Sequence, residues 1–134
     1  MSMPRRVVIT GAGIVSPLGN SLQTFQANLL AGVSGIGHLN ADFTHKLETR
    51  IAAQCQFDGE QHFSRQELAL LDRVSQFALV SADQAVQQAG LDFSSIDPAS
   101  AGCFIGTGMG GASATEDGYA RLFEQGLNRL KPFT

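Results

Sequence analysis

The side chains best suited to nucleophilic or metal chemistry, cysteine and histidine, are sparse in this chain. Cys55 and Cys103 are its two thiols, and they form no Cys-x-x-Cys pair. Each sits in an apolar, strand-like run, where a thiol behaves as a small buried hydrophobe rather than a reactive thiolate. His38, His45 and His62 have no metal-ligand spacing with one another or with a cysteine. They read as loop or surface histidines. The expectation is no metal site and no cofactor.

Two glycine-rich turns carry more information. Gly11-Ala12-Gly13-Ile14-Val15-Ser16 follows the β-branched run Val7-Val8-Ile9-Thr10. A dinucleotide site needs G-x-G-x-x-G at the mouth of a helix and an acid about 20 residues later. Here Ser16 stands in place of the third glycine, Pro17 follows it, and positions 30 to 34 hold no acid. A nucleotide-binding α/β domain is therefore only a remote alternative. The second turn, Gly106-Thr107-Gly108-Met109-Gly110-Gly111, lacks the Lys-Ser/Thr pair of a P-loop, which removes the phosphate reading. Two uses are open for it. Its glycines serve unusual dihedrals and tight packing, or they form the wall of a ligand channel.

The elements that must position these turns follow from periodicity. Val7–Thr10 reads as a buried strand, and Pro17–Asn20 as a loop. Ser21 opens a helix whose Leu22, Phe25, Leu29 and Leu30 share one face, with Gly32 placed to end it. Val33–Lys46 reads as irregular, and Arg50–Phe57 as a weak edge strand. Ser64-Arg65-Gln66-Glu67 fits a capping box. The helix it opens is expected to run unbroken to about Ala89, with Gly90 as its stop. Ser75, Ala78, Ala82, Ala85 and Ala89 give that helix a stripe of small side chains, so it is expected to be long and buried. Ser94–Pro98 is turn-rich. Ala101–Ile105 reads as a second buried strand. A last amphipathic stretch carries Tyr119, Leu122, Phe123, Leu127 and Leu130, and Pro132 ends it. Strands alternating with helices indicate an α/β fold with a mostly parallel or mixed sheet.

Composition narrows the function classes. The chain has 134 residues, 43% hydrophobic and 16% charged, which is globular and the size of one domain. The formal net charge of −3, without a basic patch, argues against a nucleic-acid partner. No apolar run approaches the ~20 residues of a membrane span. No signal-peptide pattern opens the chain, so a cytoplasmic location is expected.

Four segments, taken in order, resemble one family. Arg5–Asn20 (RRVVITGAGIVSPLGN), Leu29–Gly37 (LLAGVSGIG), Gly102–Gly111 (GCFIGTGMGG) and Pro132-Phe133-Thr134 are similar to the N-terminal part of β-ketoacyl-acyl-carrier-protein synthases of the elongating, synthase II-like type. These belong to the thiolase superfamily. The resemblance covers essentially the whole chain. It implies that residues 1–134 are the N-terminal portion of a synthase N-terminal domain, an incomplete half of the layered α-β-α-β-α thiolase-like fold. It also implies a homodimer that takes acyl- and malonyl-loaded acyl carrier protein. The implied reaction is a decarboxylative Claisen condensation of an acyl thioester with malonyl-carrier protein, in fatty acid or polyketide-like biosynthesis.

The same resemblance places the family's nucleophilic cysteine shortly beyond the position of Thr134, and its two histidines further on. No catalytic residue is assigned to this chain, and the 134 residues alone are expected to be inactive and either to self-associate or aggregate, or to belong to a longer chain. Gly108, Met109, Phe133 and Thr134 match positions at the acyl pocket and dimer interface. Thr134 stands where phenylalanine is frequent, which puts the usual chain-length preference in doubt. Arg65 and Arg73 are the implied carrier-docking cations, while Gln66, Ala69 and Leu70 occupy neighbouring positions where the family often has Lys or Arg. A non-catalytic partner subunit of the chain-length-factor kind is the alternative, and nothing before Thr134 separates it from an active synthase.

Overall fold

The computed structural model describes residues 6–126. They divide into two compact units, one of residues 6–56 and 81–95, the other of residues 57–80 and 96–126.

In the first unit, residues 6–15 have no regular secondary structure. A tight turn follows at Pro17-Leu18. It is closed by paired 3.1 Å bonds between the backbones of Ser16 and Gly19, and the Ser16 hydroxyl accepts from the Leu18 N–H at 3.2 Å. Helix α1 spans Leu22–Leu30. It starts where the sequence places it, because the Ser21 hydroxyl accepts the Thr24 N–H at 3.2 Å and satisfies an otherwise orphaned donor. It ends at Gly32, whose φ of +68° is the left-handed conformation. There the Val33 N–H returns to the Asn28 carbonyl at 2.9 Å. Asn28 Nδ2 donates to the Leu18 carbonyl at 2.7 Å and ties α1 to the turn before it.

Strands β1 (Gly37–His38) and β2 (Ile51–Ala52) pair antiparallel, with Gly37 opposite Ala52 and His38 opposite Ile51. The expected edge strand thus narrows to two residues. Its partner lies in a segment read as irregular. The loop between them is held by Thr44, whose buried hydroxyl donates to the Leu39 carbonyl and accepts from the Ala41 N–H.

Helix α2 spans Arg65–Leu70, α3 Arg73–Ala89 and α4 Ala112–Glu124. Residues 73–80 of α3 belong to the second unit and the rest of the helix to the first. The single long helix expected from Ser64 to Ala89 is therefore two. Leu71 leaves helical geometry at ψ 121°. Asp72 then restarts the helix, its Oδ1 accepting the Val74 N–H at 2.7 Å. An aspartate competes for backbone donors in this way and so favours a cap over a helix interior. Gly90 stops α3 at φ +62°, as expected. Helix α4 gives way to Gly126 at φ +65°. Leu127 and Leu130 lie outside the described residues.

The sheet of the described residues is the antiparallel β1–β2 pair. Two expectations about layering need correction. Val7–Thr10 and Ala101–Ile105, read as buried strands, carry no ladder, and their side chains are open: Val7 is 94% and Phe104 98% exposed. A β-branched run states a preference, but a strand exists only with a partner to take its N–H and C=O groups. Helix α3 is mostly half-buried rather than buried, and Val80, 8% exposed, is the one buried hydrophobic side chain among those described. Within the same residues no helix is long and apolar enough to cross a membrane.

Candidate functional site

The first glycine turn is built against helix α3. A Cβ on Gly11 would fall on the Ala85 carbonyl, and one on Gly13 on the Ser81 carbonyl. Ser81, Ala85 and Ala89 recur every four residues, so they share one helix face. Small side chains there leave room for the glycine backbone. Of the stripe expected from the sequence, Ala85 and Ala89 lie in this contact, and Ser81, outside that stripe, serves it as well. Two glutamines on α3 then fix the turn. Gln88 Oε1 accepts the Ala12 N–H at 2.8 Å, and Gln84 Oε1 accepts the Ile14 N–H at 2.9 Å. Gln84 Nε2 also donates to the Asn20 carbonyl at 2.7 Å. A phosphate cradle needs backbone N–H groups aimed at a ligand. Here those of Ala12 and Ile14 are taken by side chains, which removes the physical basis for a nucleotide site.

The second glycine turn mixes two causes. Thr107 Oγ1 accepts the Gly110 N–H at 2.9 Å. Gly110 has φ +65°, which disfavours a side chain. A Cβ on Gly111 would meet the Asp72 carboxylate at 3.0 Å. Gly106 and Gly108 face open space. Met109 is 85% exposed. With Ala112, Thr115, Glu116, Tyr119 and Phe123 along one side of α4 it lines an open groove of ≈ 660 Å³. The Tyr119 and Phe123 rings stack at 5.9 Å in its wall. Of the four expected pocket residues, Met109 reaches this groove and Gly108 sits beside it in the turn. Phe133 and Thr134 lie outside the described residues.

The two expected docking arginines have different surroundings. Arg65 opens α2 and is exposed. The capping box behind it is complete. Ser64 Oγ accepts the Glu67 N–H at 3.3 Å, and Glu67 Oε2 accepts the Ser64 N–H at 2.8 Å. That backbone N–H, and secondarily the Ser64 hydroxyl, hold the Glu67 carboxyl below the usual glutamate range. Arg73 starts α3 instead. Its guanidinium lies 4.9 Å from the Phe77 ring centre and 5.8 Å from that of Phe57. It also donates to the Phe57 carbonyl at 3.4 and 3.5 Å. Phe57 in turn meets Phe77 edge-on at 5.0 Å and stacks on His62 at 5.2 Å. Arg73 therefore helps to organise an aromatic cluster. Cys55 is half-buried and Cys103 exposed, so neither thiol is fully buried as expected, and Cys103 departs furthest. No group of His, Cys, Asp and Glu among the described residues is arranged to hold a metal.

The sequence model of the β-ketoacyl synthase N-terminal domain matches residues 4–134. The chain belongs to the β-ketoacyl synthase family. It is 37% identical to the 3-oxoacyl-[acyl-carrier-protein] synthase 2 of Staphylococcus aureus strain COL, over 99% of this chain and 32% of that protein. It is 36% identical to the synthase 2 of Vibrio cholerae, over 96% of this chain and 31% of that one. The chloroplastic 3-oxoacyl-[acyl-carrier-protein] synthase I of Hordeum vulgare is also 36% identical, over 96% and 29%. The chain thus spans about a third of the length of these curated relatives. Among solved structures it is similar to a chain from the complex of a type II polyketide acyl-carrier protein with its ketosynthase, bound to the hexaketide. The TM-score is 0.72 and the identity 28%, covering 97% of this chain and 30% of that one. The thiolase-like ketosynthase fold read from the four motifs is thereby borne out.

Set in that β-ketoacyl synthase fold, the residues that sequence reading missed are Asp72, Gln84 and Gln88. Asp72 splits the helix. Gln84 and Gln88 hold the first turn. The spacing of the glutamines, four apart on α3, was visible. Their targets were not, because those lie 64 to 76 residues away along the chain.

Proposed function

We propose that this chain is the front part of a 3-oxoacyl-[acyl-carrier-protein] synthase, and that residues 1–134 form an incomplete thiolase-like half of its N-terminal domain. In the reaction proposed, an acyl group passes from a carrier thiol to an enzyme cysteine. Malonyl-carrier protein loses CO₂, and the resulting carbanion attacks the acyl thioester carbonyl. The cysteine thiolate leaves, and 3-oxoacyl-carrier protein is formed. A thiolate nucleophile and hydrogen-bond donors to the developing oxyanion are required. We place these groups beyond Thr134, so the contribution of this chain is shape. The reading includes acyl- and malonyl-loaded carrier protein as partner, and a cytoplasmic homodimer.

The observation that carries the reading is the family match over residues 4–134, together with relatives 36–37% identical that are named 3-oxoacyl-carrier-protein synthases. Met109 on an apolar groove supports an acyl-pocket role for Gly108 and Met109; the same role is proposed for Phe133 and Thr134 from the family resemblance alone. Arg65, exposed at the start of α2, is the better-placed docking cation, and Arg73 adds charge from the next helix.

The test is to express the complete coding sequence and follow CO₂ release and 3-oxoacyl product with acyl- and malonyl-carrier protein. The expected result is condensation by the complete protein and none by residues 1–134. A complete protein with the nucleophilic cysteine in place that releases no CO₂ and forms no product overturns the proposal. Another residue in the cysteine's place turns it towards the partner-subunit role.

A further inference from the structure

We draw no further inference here: the strongest candidate, the apolar groove of the second unit formed by Leu71, Val74, Ala78 and Leu79 of the α2–α3 region with Ile105 and Thr107, carries nothing, because nothing in the structure shows what covers it.

Discussion

The Gln84 side chain accepts the Ile14 N–H at 2.9 Å and donates to the Asn20 carbonyl at 2.7 Å. One amide on α3 thus satisfies two backbone groups on either side of the Pro17-Leu18 turn. Both bonds are partly buried, so neither backbone group is fully served by water once the amide is gone. Gln84→Leu is expected to destabilise the complete protein by about 1 to 3 kcal/mol. Gln84→Glu keeps the acceptor for Ile14 and loses the donor for Asn20, so it should fall between. Urea unfolding midpoints at constant m-value measure the series; an unchanged midpoint for Gln84→Leu removes the clamp from the account.

Close approach and backbone strain predict different behaviour at Gly13 and Gly32. A side chain on Gly13 meets the Ser81 carbonyl, which is helix backbone and cannot swing aside. Gly32 has open space around it and only a left-handed φ of +68°. Gly32→Ala should cost about 1 to 2 kcal/mol, and Gly32→Asn less, since asparagine tolerates that conformation. Gly13→Ala and Gly13→Asn should both cost more than Gly32→Ala. Thermal melts of the four variants decide it, and recovery at Gly13 on going from alanine to asparagine contradicts the steric argument.

The capping box has a pH signature. Hydrogen bonds from the Ser64 N–H and hydroxyl hold Glu67 below its ordinary value. A carboxyl lowered in the folded state contributes stability above its unfolded pKa, and this is lost as pH falls through the folded value. The contribution of Glu67 is thus intact at neutral pH and disappears only in acid. An NMR titration of the Glu67 carboxyl should show the low pKa in the parent and a rise towards the ordinary value in Ser64→Ala.

Arg65 and Arg73 should respond differently to removal. On the proposed function, Arg65→Ala raises the KM for carrier-bound substrate by roughly 2- to 5-fold, as befits an exposed ion pair, with kcat and melting temperature unchanged. Arg73→Ala should also lower stability by about 0.5 to 1 kcal/mol, because its guanidinium covers Phe57 and Phe77. Steady-state kinetics at two salt concentrations, paired with melts, separate the roles. Equal loss of stability in both variants contradicts the assignment.

Met109 supplies a test of the groove. On the proposed function, Met109→Trp in the complete protein slows condensation of long acyl substrates more than short ones, with carrier affinity unaltered. A uniform loss across chain lengths assigns Met109 to packing.

Local signals in this sequence were legible and distant ones were not. The Ser21 cap, the Ser64–Glu67 box and the Gly32 and Gly90 stops all act within a few residues of themselves. Each stands where its pattern placed it. The break at Asp72 is hidden in the sequence because the apolar periodicity of α2 and α3 continues across it, while the Asp72 side chain takes the Val74 N–H and the backbone leaves helical geometry at Leu71. Val7–Thr10 and Ala101–Ile105 have strand propensity but no ladder, since propensity supplies no partner. At the candidate site, Met109 is proposed from family likeness, and the glutamine clamp is visible in the structure alone.

The bond between Ala12 and Gln88 joins residues 76 apart in sequence. A ribosome adding about 5–20 residues per second needs about 4 to 15 s to make that intervening stretch. During this time the N-terminal turn has been synthesised but its α3 anchor has not. The run Val7-Val8-Ile9 beside it is apolar and has no cover of its own. The clamp therefore cannot close until α3 has been made, and the glycine turn waits unanchored while the intervening stretch is synthesised.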